Sequence, residues 1–315
     1  MFRSVFVFIK SLGLFGLCVL ASPVCHSELR VAFSDLLPES FNESIIGFSI
    51  SNDLGIQTTR MGSLPMIEEF LQGQFDLCIL AMPDDIEMPK LDETNFNRLP
   101  LAYKSAVVAV HKDNPIRELR LDQLSSIFGS LDGQSIKNWR DLGVTGYTVG
   151  TISPFVVNED NGIARELFRH KVLSLSYDYI SSVRTLKRDA AIALLSSNEN
   201  AIGIFPKDPE VEALKVLYVA KDQDSIAYGP NAENIYFGDY PIKLPFYVLY
   251  KYKDSSRLLS IISFLMSDEI EILLSDNAFF PVPKVIRGKY SSDVEMYIHE
   301  NNHQGSIEES ESLLN

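Results

Sequence analysis

Short apolar runs alternate with amphipathic segments along most of the chain, and polar turns separate them. Residues 29–33 and 75–81 are apolar runs of strand length, the second nearly continuous, as a strand buried on both faces requires. Between them, apolar residues recur at helical spacing from Ser63 to Leu71, with Gly73 where a helix would end. This order predicts α/β architecture.

The alternation continues to Pro283 without an internal repeat. Further strands are predicted at 102–111, 147–150, 201–205, 215–220 and 244–252. Further helices are predicted at 121–128 and 161–171, and the apolar spacing over 255–275 predicts two helices or one long one. After Pro283 the pattern fades, and the Ser/Glu-rich residues 305–315 predict a flexible tail.

The first 27 residues have the order of a secretory signal peptide. Positive charges precede an apolar run at 11–21, small residues follow it, and no acid occurs before Glu28. The uninterrupted apolar run is shorter than the ~20 residues that a membrane-spanning helix needs. Cleavage after Ala21 or Ser27 therefore predicts a periplasmic or otherwise secreted protein.

The composition narrows the choice of partners. The chain has 315 residues, with 28 Lys+Arg and 42 Asp+Glu, and a formal net charge of -14. This balance argues against nucleic acid or an anionic membrane surface, because both require a basic face. Cys78 is the one cysteine that remains after cleavage at Ser27, and its place in an apolar strand predicts a buried small hydrophobe.

Four segments carry recognisable motifs. In chain order they are D-N-P at 113–115 continuing to N-W-R-D-L-G at 138–143, N-A-I-G at 200–203, Y-P at 240–241 with L-P-F-Y at 244–247, and the helical segment 264–283. Together they resemble the type II periplasmic solute-binding proteins, and specifically their phosphate-binding, PstS-like branch. The resemblance extends over residues 28–283, nearly the whole chain that would remain after cleavage.

The resemblance implies an α/β, two-lobe periplasmic-binding-protein type II fold with a ligand cleft between the lobes. Residues 28–101 and 244–284 would form lobe one, residues 102–243 lobe two, and residues 285–315 a polar tail. It also implies the substrate-binding component of an ABC transporter, a monomer that captures phosphate or another oxyanion and presents it to a membrane permease or sensor. It implies no cofactor and no metal.

The resemblance also suggests which residues contact the ligand. Proteins of this branch hold phosphate with hydroxyl groups and with backbone N–H groups at helix N-termini. Ser34, Ser63 and Asp84 (or its neighbour Asp85) are the candidates in lobe one. Each has an ordinary alternative role, as a turn residue, a helix cap and a solvated turn residue respectively.

Lobe two departs from the motif of that branch. Gly162-Ile163-Ala164 stands where Ser-Gly-Thr would open the helix, and Glu159 and Asp160 precede it, where they would repel an anion. Asn161 and Gly162 remain candidate ligand contacts, and Ser153 could still supply a hydroxyl. Three functions stay open: binding of phosphate or a similar oxyanion, binding of a different solute, and a lobe pair without solute that acts as an envelope sensor or protein-interaction module.

One motif suggests an enzyme. H-E-N-N-H at 299–303 matches the H-E-x-x-H motif of zinc hydrolases. It lies in the polar tail, which offers little of the buried shell that a catalytic zinc needs. The sequence therefore favours a non-enzyme, with a zinc hydrolase as the remote alternative. Trp139 is expected to anchor packing rather than to stack on a ligand.

Overall fold

The computed structural model describes residues 28–84, 94–129, 135–144, 150–174 and 178–312, with side chains up to His299. The predicted signal peptide, residues 1–27, and most of the strand predicted at 147–150 lie outside this part of the chain. Within the described part, no helix has both the length and the apolar character that crossing a membrane requires.

Strands and helices alternate along the described chain, which confirms the α/β class. The strands are β1 (Leu29–Ser34), β2 (Ile56–Met61), β3 (Leu77–Ala81), β4 (Phe96–Ser105), β5 (Val107–His111), β6 (Glu118–Arg120), β7 (Ser153–Val157), β8 (Arg184–Leu186), β9 (Ala201–Phe205), β10 (Leu214–Val216), β11 (Tyr218–Ala220), β12 (Lys243–Lys251) and β13 (Phe280–Pro281). The helices are α1 (Glu39–Ser51), α2 (Ser63–Leu71), α3 (Leu121–Phe128), α4 (Ile163–Phe168), α5 (Arg188–Ser197), α6 (Ala232–Phe237), α7 (Ser255–Leu265), α8 (Asp268–Asp276) and α9 (Lys284–Ser312).

Two sheets organise these elements. The first has the strand order β13-β4-β12-β3-β1-β2, the second has the order β10-β5-β9-β7-β8, and β11 and β6 form a separate pair. β1 is parallel to both β2 and β3, and β7 is parallel to both β8 and β9. We call the first sheet with α1, α2, α7 and α8 the first lobe, and the second sheet with α4 and α5 the second lobe.

The central strands are buried because their apolar residues form continuous runs. All five residues of β3 and all five of β9 are buried. Trp139 is fully buried, which confirms its predicted packing role. Cys78 is buried in β3, and burial raises the pKa of its thiol, so it is the small hydrophobe that its sequence context predicts.

The chain passes between the two sheets at Ala106 and returns after Ile242. The Ala106 N–H donates to the Ile242 carbonyl at 3.4 Å, and the Ser105 hydroxyl donates to the same carbonyl at 2.8 Å. The Tyr240 hydroxyl donates to the Ala106 carbonyl at 2.8 Å. The two crossovers are therefore hydrogen-bonded to each other. The predicted boundary between residues 101 and 102 falls inside β4.

Three predicted elements need correction. The apolar run at 102–111 is two strands, because β4 pairs with β12 in the first sheet and β5 pairs with β9 in the second. The run at 215–220 is also divided, since β10 pairs with β5 and β11 pairs with β6. Ser63 is the first residue of α2 rather than its cap. In each case a tertiary partner decides what the local pattern leaves open.

The tail predicted after Pro283 is a helix as far as Ser312. Arg287 and Val294 of α9 are buried, and the hydroxyl groups of Tyr290 and Tyr236 lie 2.8 Å apart. Ile286, Tyr290, Val294 and Ile298 pack against the core at intervals of four residues, a helical spacing that the many polar residues between them hide in the sequence. The H-E-N-N-H motif begins on α9, and the side chains beyond His299 are outside the described residues.

Asp76 links the first strand to α7. Its carboxylate accepts a hydrogen bond from the Arg30 backbone N–H at 2.8 Å and another from Arg257 Nη2 at 2.8 Å. Burial by itself would raise the pKa of Asp76, but the hydrogen bonds outweigh it and the pKa lies below its ordinary value. The ionised carboxylate therefore stabilises the folded state.

Replacing this residue, Asp76→Asn, is expected to lower the free energy of unfolding at pH 7 by about 1–3 kcal/mol. Because the folded-state pKa is depressed, the contribution is present above about pH 4 and is lost as the pH falls further. Urea unfolding between pH 7 and about pH 3 measures this change, with Asp53→Asn as the exposed control. A difference that stays constant over this range would contradict the assignment.

Candidate functional site

The carboxyl ends of parallel strands form one edge of the first sheet. β1 ends at Ser34, which pairs with Met61 at the end of β2, and the neighbouring β3 ends at Ala81. Ligands of open α/β sheets bind outside this edge. Ser34, Ser63 and Asp84 all lie just beyond it, so the structure brings these three predicted residues to the same edge.

Two of these side chains have structural partners in the first lobe. The Ser34 Oγ is buried and accepts a hydrogen bond from the Leu36 N–H at 3.2 Å, a common turn interaction. The Ser63 Oγ accepts from the Ala81 N–H at 3.0 Å and so ties the start of α2 to the end of β3. Both hydroxyl groups therefore stabilise the local fold.

Asp84 has a similar role. Its side chain is 47% exposed and forms an ion pair with Lys243 at 3.4 Å. The Lys243 ammonium also lies 5.1 Å from the centre of the Tyr103 ring. Because Lys243 is the first residue of β12, this ion pair stabilises the start of the strand on which the chain returns to the first sheet. Its alternative, Asp85, lies outside the described residues.

In the second lobe, a left-handed turn connects β7 to α4. Asp160, Asn161 and Gly162 follow one another with φ angles of 46°, 56° and 79°. Glycine adopts this region without steric cost and Asn tolerates it, which explains these residue types at the end of the turn. The predicted contacts Asn161 and Gly162 therefore shape the turn that presents Asp160.

Ser153 lies at the opposite end of β7 from this turn. It pairs with Ala201 at the beginning of β9, and its Oγ accepts a hydrogen bond from Arg184 Nη2 at 3.2 Å. The five residues of β7 separate its ends by roughly 13 Å, at about 3.3 Å per residue. The structure therefore does not bring Ser153 to the other predicted residues.

A cavity of about 550 Å³ lies between the two lobes. One wall is formed by the segments that follow β7, β8 and β9, and the other by the end of α8. The described lining residues are Glu159, Asp160, Arg188, Pro206, Lys207, Asp208, Glu210, Ser275, Asp276, Asn277 and Ala278. None of the six site residues predicted from the sequence is among them.

Carboxylates dominate the charge of this cavity. Among the described lining residues, five acids face two cations. Arg188 forms an ion pair with Glu159 at 3.4 Å, and Lys207 Nζ lies 3.5 Å from the Ser275 carbonyl. Both cations already have partners, so the potential in the cavity disfavours an anion.

Lys104 and Asp160 form a buried ion pair between the two lobes. Lys104 Nζ lies 3.3 Å from Asp160 Oδ2, and the two side chains are 2% and 6% exposed. Lys104 Nζ also donates to the Asn277 carbonyl at 2.8 Å and lies 4.2 Å from the centre of the Phe279 ring. The second carboxylate oxygen of Asp160 accepts from the Ala164 N–H at 3.4 Å. We call Lys104 and Asp160 the interlobe ion pair.

Burial perturbs both members of this pair. Loss of water lowers the pKa of Lys104 and raises that of Asp160, and each partner's charge opposes the other's shift. The opposing charges are needed because an isolated buried charge would be far more costly. Each of these buried charges therefore depends on its partner in the other lobe.

The sequence contained one signal for this pair. A Lys inside the apolar run 102–111 needs a buried partner, because Lys is almost never fully buried alone. No local pattern joins Lys104 to Asp160, which lies 56 residues further along the chain. Arg188 and Lys207 were also missed, since their place in the cavity follows only from the parallel arrangement of β7, β8 and β9.

A second group of titratable side chains lies at the amino end of β9, away from the cavity. One ligand atom each of His111, Asp113 and Glu199 lie within 4.8 Å of one another. The His111 Nδ1 already accepts a hydrogen bond from the Asp113 N–H at 3.2 Å, and Asp113 is 63% exposed. A metal at this nitrogen would have to replace that hydrogen bond, so we assign no metal to this group.

Two α/β lobes joined by two crossovers, with a cavity between them, define the class of two-lobe binding proteins. Residues 32–269 match the model of the PBP superfamily domain, and the chain belongs to this superfamily. This result confirms the predicted fold, and the similarity to a phosphate-binding PstS protein confirms the resemblance to that branch.

Individual relatives agree with this assignment. The phosphate-binding protein PstS of Pseudomonas aeruginosa is 28% identical over 156 residues, which are 48% of this chain and 48% of that protein, so the match spans about half of its length. Protein SphX of Synechococcus elongatus is 23% identical over 266 residues, 79% of this chain and 74% of that protein. The crystal structure of a possible phosphate binding protein from Planctomyces limnophilus has a TM-score of 0.65 at 14% identity, over 86% of this chain and 98% of that chain. That structural similarity concerns the fold.

Proposed function

We propose that the protein is an exported solute-binding protein and not an enzyme, and that its ligand occupies the interlobe cavity. The observation that carries this proposal is the construction of the cavity, whose walls come from both lobes. A solute bound there contacts both lobes and stabilises their closed arrangement, which a membrane permease or sensor can recognise. The similarity to PstS proteins supports such a partner.

The charge of the cavity favours a neutral or cationic solute over free phosphate, the first choice from the sequence. Each unpaired carboxylate repels an anion 4 Å away by about 1 kcal/mol in a water-like dielectric, and by several-fold more in a closed cleft. Asp208, Glu210 and Asp276 add negative charge beyond the pairs already described. We therefore favour the alternative in which this fold serves a different ligand.

Calorimetric titration of residues 28–315 with phosphate, after refolding to remove carried-over ligand, is expected to show no binding at micromolar concentration. A thermal-shift panel of amino acids, polyamines and neutral sugars is expected to identify a solute that raises the Tm. That solute should lose affinity in Asp208→Asn/Glu210→Gln, because both side chains line the cavity. The pair Asp222→Asn/Glu233→Gln removes two acids elsewhere and serves as the control.

Micromolar or tighter phosphate binding would contradict this choice of ligand and restore phosphate. A panel without any thermal shift would contradict solute capture. It would favour the second candidate, an envelope sensor or protein-interaction module without solute. The interlobe ion pair supports that candidate, because it joins the lobes through side chains of the protein itself.

A further inference from the structure

We infer that the interlobe ion pair holds the two lobes closed in the absence of a ligand, with the Asp160 carboxylate as a resident anion between the lobes. In a two-lobe binding protein, contacts of the ligand with both lobes normally supply the free energy of closure. Here Lys104 and Asp160 supply such a contact from the protein itself. This inference rests on the proposed function, because it concerns how the same cleft closes.

The first argument is the origin of the contacts around the pair. The other partners of Lys104, the Asn277 carbonyl and the Phe279 ring, belong to the first lobe. The other partner of Asp160, the Ala164 N–H, belongs to the second lobe. Each charged group is therefore anchored in its own lobe, and separation of the lobes breaks the contact between them.

The second argument is energetic. A buried ion pair gains little net stability, because the loss of water offsets much of the attraction, and apolar residues of similar volume often stabilise a fold equally well. Such a pair instead restricts the two lobes to a single arrangement relative to each other. Lys104 and Asp160 compensate each other only when the lobes are closed, and partial opening would separate them while both are still shielded from water, so the pair opposes the first step of opening.

The third argument is a second contact across the same cleft. Lys207 follows β9 in the second lobe, and its ammonium lies 3.5 Å from the carbonyl of Ser275 in the first. Together with the bond from Lys104 to the Asn277 carbonyl, this contact places two cations at the carboxyl end of α8, where the helix dipole favours positive charge. Two lysines, one from each lobe, thus meet at the end of one helix.

An interlobe distance measured without any ligand tests this inference. Ile50→Cys on α1 of the first lobe and Ala193→Cys on α5 of the second lobe provide labelling sites at exposed residues, while Cys78 is buried. Pulsed electron paramagnetic resonance on the refolded, spin-labelled chain from Glu28 to Asn315 is expected to give one narrow distance distribution. Asp160→Asn and Lys104→Met are expected to broaden it and to change its mean.

The matched control is Glu159→Gln. Glu159 is the neighbour of Asp160 and also forms an ion pair, but its partner Arg188 lies in the same lobe. Its loss is expected to leave the distribution unchanged. Asp160→Asn preserves shape and an acceptor for the Ala164 N–H, so it keeps the test decisive if Lys104→Met does not fold. Near-ultraviolet circular dichroism checks folding in each variant.

A broad distribution in the unmodified protein, or an unchanged distribution in folded Asp160→Asn, would overturn the inference. In the second case the pair would be a brace close to the crossover at Ala106, with an effect on Tm alone. The distance measurement is independent of the solute titrations. If a solute binds and the distance distribution of Asp160→Asn is unchanged, the ion pair's role in closure is refuted and the proposed function stands. If Asp160→Asn opens and no solute binds, the role in closure stands and the proposed function is refuted.

Discussion

Replacing Arg287 with methionine is expected to lower the free energy of unfolding by about 3 kcal/mol, roughly 1 kcal/mol for each of three carbonyl groups that lose a donor. The guanidinium is 4% exposed. It donates to the carbonyls of Val282, Met266 and Ser267 at 3.1, 2.9 and 2.9 Å. It also pairs with Asp268 and Glu271 of α8.

This side chain attaches the first turn of α9 to the junction of α7 and α8, and α8 carries one wall of the cavity. Urea unfolding of the chain from Glu28 measures the loss. Lys284→Met is the matched control, because Lys284 pairs with the same Asp268 at 2.6 Å but is 72% exposed. Exposed ion pairs contribute about 0–1 kcal/mol to the free energy of unfolding. Equal losses in Arg287→Met and Lys284→Met would contradict the role assigned to the buried guanidinium.

Gly203→Ala is the second substitution with a large expected effect. A Cβ atom at this position of β9 would lie 2.2 Å from Phe155 Cζ, far inside van der Waals contact. Phe155 cannot move away easily, because its ring packs against Phe205 with centroids 5.9 Å apart in a fully buried cluster. Overpacking of this kind costs about 1–3 kcal/mol and sometimes more, and we expect about 3 kcal/mol here.

Thermal and urea unfolding measure this loss, and a compensating variant identifies its cause. Gly203→Ala combined with Phe155→Leu should recover at least about 1 kcal/mol relative to the sum of the single effects, because the two positions are in contact. Gly47→Ala is the control: Gly47 lies exposed on α1 with no atom within 4 Å of a Cβ, and alanine there should stabilise by about 0.5–1 kcal/mol. Additive losses in the double variant would contradict a clash with Phe155.

Gly203 and Arg287 differ in how far the sequence predicts the elements that contain them. Gly203 belongs to β9, which the sequence predicts from the short apolar run 201–205 alone, without knowledge of its neighbouring strands. Arg287 lies in a mostly polar segment, and its importance follows from the carbonyl groups of Met266 and Ser267, between α7 and α8, and of Val282, before α9. A dense apolar run therefore predicts an element directly, whereas the hydrophobic pattern does not show where a buried cation attaches one element to others.

The candidate site shows the same limit. The sequence predicted Ser34, Ser63 and Asp84 as ligand contacts in lobe one, and the structure places them at one sheet edge but not among the described lining residues of the cavity. It also predicted Ser153, which the direction of β7 places at the other edge. The sequence placed the strand at 147–150, so that Ser153 would follow it, whereas β7 begins at Ser153 because residues 153–157 are the ones that pair with β8 and β9.

By itself, the sequence predicted the α/β class and, through its resemblance to a known family, the binding-protein fold; it also showed that Gly162-Ile163-Ala164, preceded by two acids, stands where that family has hydroxyl groups. Those features are local, because they depend on residue type and spacing within one segment. Only the tertiary structure decided that the run 102–111 divides at Ala106, and that Lys104 and Asp160 meet in the interior between the lobes. The reason is physical: a buried charge is tolerated only with its partner, and the partner is chosen by the packing of the two sheets rather than by proximity along the chain.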